Sequence, residues 1–476
     1  MIQPIPRPHP CPHPVDAATG RLAPTPAARY APGPWMAAGA AAALAAVMAA
    51  HPALAQTAPE APVVVEAAAP VLNTGDTTWV MVSAILVMMM TVPGLALFYG
   101  GLVRSKNMLS VLMQVLSVFC IMALLWVIFG YSLAFTGGEG GGLAPFIGTL
   151  SRTFLGGVGV DSLSGTVPEY AFIAFQMAFA CIAAALIVGA TVERMKFAAV
   201  LMFCTIWFVL SYLPICHMVW QPGGYLFAHG ALDFAGGTVI HINAGVAGLI
   251  AAWVAGPRVG YGRELMAPHN LTFTFIGAAL LWIGWFGFNA GSALGANGVA
   301  ALALVNTVVA TAAAALAWAF GEWAMRGHPS LLGGVSGAIA GLVGVTPAAG
   351  FVGPMGAIAI GLICGLACMW FVVTMKSRIG IDDSLDVFGI HGLGGIIGAV
   401  LTGIFVFPAL GGRGVEVTMG EQLYVQVLGV VIAILWSAVV SFVAIHLVKA
   451  VIGLRVQTSD ERQGLDLITH GENAYN

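Results

Sequence analysis

Long apolar stretches alternate along this chain with short polar ones that carry its few charges. About 20 apolar residues are needed to cross the hydrocarbon of a bilayer. Windows of that kind fit single helical spans at 79–103, 108–135, 170–192, 197–217, 234–256, 387–410 and 421–448. The stretches 265–321 and 327–375 contain no Lys, Arg, Asp or Glu, and each is long enough for two spans. Gly, Asn and Ala near 290–298 divide the first, and Pro347–Pro354 divides the second. The pattern predicts eleven transmembrane helices and leaves no window for a soluble domain.

Composition agrees. The chain has 476 residues, 59% hydrophobic and 8% charged, where a soluble domain carries roughly 25% charged residues. Such a chain cannot build a water-compatible surface, so the lipid bilayer is its first partner. A net charge of −3 gives no footing for nucleic acid. The 62 glycines suit membrane helices that pack backbone to backbone.

The N-terminal part differs. Residues 1–35 are rich in Pro, His and Arg, residues 36–50 form an apolar run too short to span, and Ala53-Leu-Ala55 follows as an A-x-A cleavage site. The expectation is a secretory leader over 1–55, with the start at Met1 or Met36, and a linker over 56–75. The mature N-terminus is then outside the cytoplasm. With that orientation, twelve of the seventeen Lys and Arg fall at cytoplasmic helix ends; Arg152 and Arg413 alone fall outside, and three lie in the leader. The bias fits the positive-inside rule and supports an odd number of helices, with the C-terminus inside.

Eleven divides as five, five and one. An odd number of helices per repeat inverts the second repeat relative to the first. Two units then fall at equivalent places, Asp233-Phe-Ala-Gly-Gly-Thr-Val-Ile-His241 and Asp383-Ser-Leu-Asp-Val-Phe-Gly-Ile-His391. The fold class is an all-α polytopic membrane protein of two inverted five-helix repeats and a peripheral eleventh helix. Asp233 opens the fifth span, where a carboxylate accepts from free backbone N–H groups. Eight helical residues carry His241 roughly 12 Å deeper. A lone membrane histidine is ordinarily a satisfied packing residue. A symmetric pair in apolar surroundings points instead to a substrate path, because an ionisable group at that depth is costly. Two facing rings could share a proton and leave their other nitrogens toward a lumen.

A metal site is not expected, since no HxxxH and no Cys pair supplies the three or four ligands that zinc needs. The seven cysteines read as inert thiols, and no nucleophile constellation argues for an enzyme. The expected outer ends of the third, fourth and sixth spans are aromatic, with Phe175-Gln-Met-Ala-Phe179, His217-Met-Val-Trp220 and Trp282-Ile-Gly-Trp285-Phe-Gly-Phe288-Asn-Ala-Gly-Ser292. Such rings ordinarily anchor at the interface or fill the core. Gathered around one point, they attract ammonium-like cations.

At these residues the chain resembles the ammonium transporter family (Amt/Mep, related to the Rhesus proteins), and in particular its bacterial AmtB-type members. The resemblance spans roughly residues 74–476. It is carried by Asp233 through Leu249, Gly284 through Ser292, Ser330 through Pro347, Asp386 through Gly392 and the tail from Gly453 to Tyr475. It implies a membrane domain over 76–452, a cytoplasmic regulatory tail over 453–476, a homotrimer with one pore per subunit, and no cofactor. By motif position, Trp220, Phe179 and Ser292 resemble an outer ammonium recruitment site supported by Asp233. Phe179 and Phe288 resemble a phenyl gate. His241, His391 and Trp285 resemble the pore lining. The loop after Trp220 departs from the pattern by one inserted residue. The family tail helps a trimeric PII-type signalling protein dock. The alternatives within this reading are an ammonium sensor that reports to a cytoplasmic partner, and an electroneutral gas channel of Rhesus type.

Overall fold

The computed structural model describes residues 71–137 and 141–475; the expected leader and the linker through residue 70 lie outside the described residues. Ten helices are long and apolar enough to span: α1 (Thr74–Leu102), α2 (Ser105–Phe135), α3 (Glu169–Thr191), α4 (Phe197–Ala228), α5 (Gly237–Ala255), α6 (Leu271–Gly291), α7 (Gly298–Arg326), α9 (Pro354–Ile379), α10 (Phe388–Phe405) and α11 (Met419–Val451). The shorter α8 (Leu331–Val345) is also apolar and brings the apolar helices among the described residues to eleven. A two-residue hairpin, β1 (Leu163–Ser164) with β2 (Val167–Pro168), sits between α2 and α3.

Local chemistry moves several boundaries away from the hydropathy windows. α1 begins five residues before its apolar window, because the Asn73 side chain accepts from Asp76 N and caps a polar first turn. α11 gains its first turn from a capping box between Thr418 and Glu421. α8 stops early because Pro347 has no N–H to continue it. At 15 residues it reaches only roughly 22 Å, less than the hydrocarbon thickness. Most of its residues are buried against neighbouring helices rather than exposed to lipid.

The two halves share a local irregularity. α4 widens into a π-turn at Phe208–Tyr212 and α9 at Phe371–Met375, while α5 opens on one at Gly237–Ile242 and α10 on one at Phe388–Gly392. The fourth and fifth helices of each five thus carry the same distortion. π-turns of this kind are enriched at functional positions, and these hold His241 and His391. α3 is the most enclosed span, with nearly every residue from Ala171 to Thr191 buried. Its central place makes one of its faces a wall of any path through the protein.

Opposite the hairpin face, charged side chains and the tail form one connected layer. Glu193 is 1% exposed. It accepts from Arg104 Nε at 3.0 Å, Asn107 Nδ2 at 2.8 Å and Arg258 Nη1 at 2.8 Å. Arg258 also forks onto Asp382, with two side-chain bonds of 2.8 Å. The tail packs onto this layer. Arg455 bridges to Met195, and Val456 N donates to Arg194 O at 3.1 Å. Glu461 accepts from Val259 N and pairs with Arg455, both at 2.6 Å. Asp466 accepts from Leu109 N and Ser110 N at the start of α2. Tyr475 reaches His269 at 2.9 Å. Lys376 pairs with Asp386 at 2.5 Å.

Candidate functional site

α5 and α10 approach so closely at Gly245 that a β-carbon there would run into the Gly392 backbone. Opposite Gly395, a β-carbon would meet Gly237 O at 3.0 Å. This crossing, together with the two π-turns, brings the histidines face to face. His391 Nδ1 lies 3.2 Å from His241 Nδ1, with the rings nearly parallel at 16°. One of the two nitrogens must carry the proton and the other accept it. His241 Nε2 has no protein partner although it is buried. It faces a slot of about 10 Å³ lined by both histidines, Trp285, Phe288 and aliphatic side chains, room for roughly one water-sized molecule. Trp285 stacks on His241 at 5.4 Å, and its indole N–H is already bound to Thr346 Oγ1 at 2.9 Å. The imidazoles are therefore the polar side chains that the slot presents.

Two wider chambers flank the slot. The one at the hairpin face has about 350 Å³ and is lined by Phe179, Trp220, Ser292, Gln176 and Tyr131 among others. The one at the tail face has about 380 Å³ and is lined by Phe98, Glu322, Ser336, Asp386 and Arg258 among others. Phe179 and Phe288 stack at 4.3 Å between the first chamber and the slot. Trp220 stands edge-on to Phe179 at 5.9 Å. Its N–H donates to Asp233 O at 2.9 Å, which fixes the ring and leaves only its π face for an occupant. Ser292 Oγ donates its proton to Phe288 O at 2.8 Å, so its lone pairs are free to accept.

Asp233 lies beneath this chamber, 8% exposed. Oδ1 accepts from Gly236 N and Gly237 N, and Oδ2 from Thr238 N and Val239 N, over 2.7–3.2 Å. Its oxygens are thus committed to the mouth of α5, and it braces the Trp220 loop through its backbone. Asp383 does the same for α10 with a single bond to Phe388 N. Burial pushes the Asp383 carboxyl up to about 6, against the pull of Lys376. The turn after Trp220 is closed by Gly223 at φ 85° and by Gln221 Nε2 donating to Gly137 O.

The structure brings all eight residues singled out in the sequence to the first chamber and the slot, Asp233 through its bond with Trp220. Two features escaped sequence reading. The π-turns have no periodic signature. Gln176 sits in the Phe175–Phe179 stretch but reads as one polar residue in an apolar helix.

The decisive comparison is a family model, described as Ammonium Transporter Family, that matches residues 78–475. The chain belongs to the ammonium transporter family. Its curated relatives include the ammonium transporter of Aquifex aeolicus, 48% identical over 85% of this chain and 94% of that one, and the ammonium transporter of Bacillus subtilis, 46% identical over 85% and 99%. Among solved structures it is similar to Mep2 of Saccharomyces cerevisiae, with a TM-score of 0.74 and 34% identity over 82% of this chain and 89% of that one. A structure titled Sensor Amt Protein matches with a TM-score of 0.76 at 28% identity, over 83% and 98%. Family membership makes ammonium or ammonia the substrate class and the membrane the setting of this transporter.

Proposed function

We propose that the hairpin-face chamber is the outer mouth, that it captures NH4+ against Trp220, Phe179 and Ser292, and that ammonia crosses the slot past His241 and His391. The observation that carries this reading is the narrowness and chemistry of the slot. A bare cation entering an apolar passage loses its hydration, which is prohibitive unless the passage replaces it. This slot offers imidazole nitrogens and no charge. Potassium has no escape from that cost. Ammonium does, because it can hand its proton to water in the outer chamber, before the Phe179–Phe288 pair, and cross as a neutral molecule. The proton travels separately, with the shared Nδ1–Nδ1 proton as one stage of its route. Purified protein in proteoliposomes tests this. Ammonium should drive saturable flux with net charge movement, while potassium should not permeate. Electroneutral flux would favour a gas channel, and no flux would sink the reading.

The mouth should act before the barrier. Trp220→Leu removes the cation–π face, worth about 0.5–2 kcal/mol, so the half-saturating ammonium concentration should rise about 2- to 30-fold. An unchanged concentration dependence would make Trp220 an interfacial anchor.

The tail is proposed to be the docking element for a cytoplasmic PII-type trimer on a trimeric transporter, where matched symmetry multiplies weak contacts. Its ordered seating across the ends of α2, α3 and α5 supports a regulatory rather than a solvated terminus. Deleting 457–476 should abolish PII capture on membranes. Undiminished capture and inhibition would exclude the tail as that element.

A further inference from the structure

Among the side chains that line the hairpin-face chamber, one has a buried polar atom with no protein partner. Gln176 is three residues before Phe179 on α3, so the two side chains share a helix face. Both line the chamber that holds Trp220 and Ser292. Gln176 is 8% exposed, and its carbonyl oxygen Oε1 is buried with no hydrogen-bond partner in the protein. A buried acceptor left unmet is costly, by about 1–3 kcal/mol. A glutamine retained there without any protein partner therefore points to a partner that visits. The terminal torsion of glutamine is broad and soft, so the amide can turn its oxygen toward the chamber with little cost.

The chamber's other polar side chains are Tyr131, whose hydroxyl donates to Glu169, Gln221, whose amide donates to Gly137 O, and Ser164 of the hairpin. Trp220 and Phe179 offer π faces, Asp233 has its carboxylate oxygens committed to backbone N–H groups, and Ser292 offers one acceptor. We propose that the Gln176 carbonyl is the second hydrogen-bond acceptor of the ammonium recruitment site. With Ser292 it selects a cation carrying several N–H donors over one of similar size without them. The inference rests on the recruitment reading of this chamber, and adds a specificity-determining residue to it.

The test compares Gln176→Leu, Gln176→Glu and Trp220→Leu in proteoliposomes, titrated with ammonium and with trimethylammonium as competitor. Hydrogen bonds to charged groups are the stronger class, so Gln176→Leu should raise the half-saturating ammonium concentration about tenfold with the maximal rate held within about twofold. Trimethylammonium, which has one N–H, should compete relatively better in that variant. Gln176→Glu keeps an acceptor and should restore tight recruitment. If Trp220→Leu shifts the concentration dependence and Gln176→Leu does not, the Gln176 proposal falls and the aromatic site stands. Should neither variant shift it, the recruitment reading falls and takes this proposal with it. A fall in maximal rate with unchanged half-saturation in Gln176→Leu, not rescued by Gln176→Glu, would assign the side chain to packing and overturn the proposal.

Discussion

Replacing His241 or His391 with alanine is expected to end the pore's discrimination: ammonium flux is lost, or potassium begins to pass. The two rings meet at 3.2 Å through Nδ1, so each is the other's hydrogen-bond partner, and either substitution leaves its neighbour with an unmet buried nitrogen. Alanine also enlarges a slot of about 10 Å³ by most of an imidazole. A wider slot can admit a cation with some of its hydration shell, which removes the penalty that excludes potassium. If the widened slot collapses instead, ammonia loses its only polar contacts and flux falls by at least tenfold. Proteoliposome flux measured separately with ammonium and with potassium distinguishes these results. Wild-type flux and wild-type selectivity in both single variants would reduce the histidines to packing residues. A double variant should be no worse than the poorer single one, because residues that act as a unit are not additive.

Much of this was legible in the chain because membrane constraints leave few alternatives. Uncharged length marks the spans, and the Lys/Arg bias orders them. The D-x7-H unit at Asp233–His241 and Asp383–His391 marks the places where two repeats meet. Hydropathy could not show how the histidines come within reach of one another. That depends on π-turns at Gly237–Ile242 and Phe388–Gly392 and on a crossing with no room for a β-carbon at Gly245. A regular 100° step per residue would aim the rings elsewhere. Gln176 was hidden for a different reason: a single amide among Ala and Phe carries no pattern, and only its unmet buried oxygen beside a chamber gives it meaning. The acidic partners were hidden as well. Arg194 and Arg258 were readable as topology markers, whereas Glu193, with φ 69° and 1% exposure, shows its role only in three dimensions.

That cluster sets the largest expected effect on stability. Arg258→Met should destabilise the protein by about 3–5 kcal/mol, the range for removing one partner of a buried ion pair. Arg258 serves Glu193 and both oxygens of Asp382, so its loss takes the side-chain partner from Asp382 and leaves Glu193 to Arg104 and Asn107, in a layer that joins the ends of α3 and α5 to the segment before α10. The effect should depend on pH with a definite sign. Burial alone would raise the Glu193 and Asp382 carboxyls, but Arg258, with Arg104 at Glu193 and Arg194 at Asp382, outweighs it and holds both below the ordinary carboxylate value. A depressed carboxylate contributes stability that is present above its unfolded pKa, about 4, and is lost as pH falls through its lower folded value. The gap between wild type and Arg258→Met should therefore be full at pH 7 and narrow under acid conditions. Thermal unfolding in detergent across that range reads it directly. A variant as stable as wild type at pH 7, or a gap that widens on acidification, would show that the ion network does not hold this face together. The tail provides an internal check, because Glu461 contacts Val259 beside Arg258. Loosening Arg258 should also expose residues 457–475 to protease at pH 7, so loss of the network would be read twice, in the unfolding temperature and in the release of the tail.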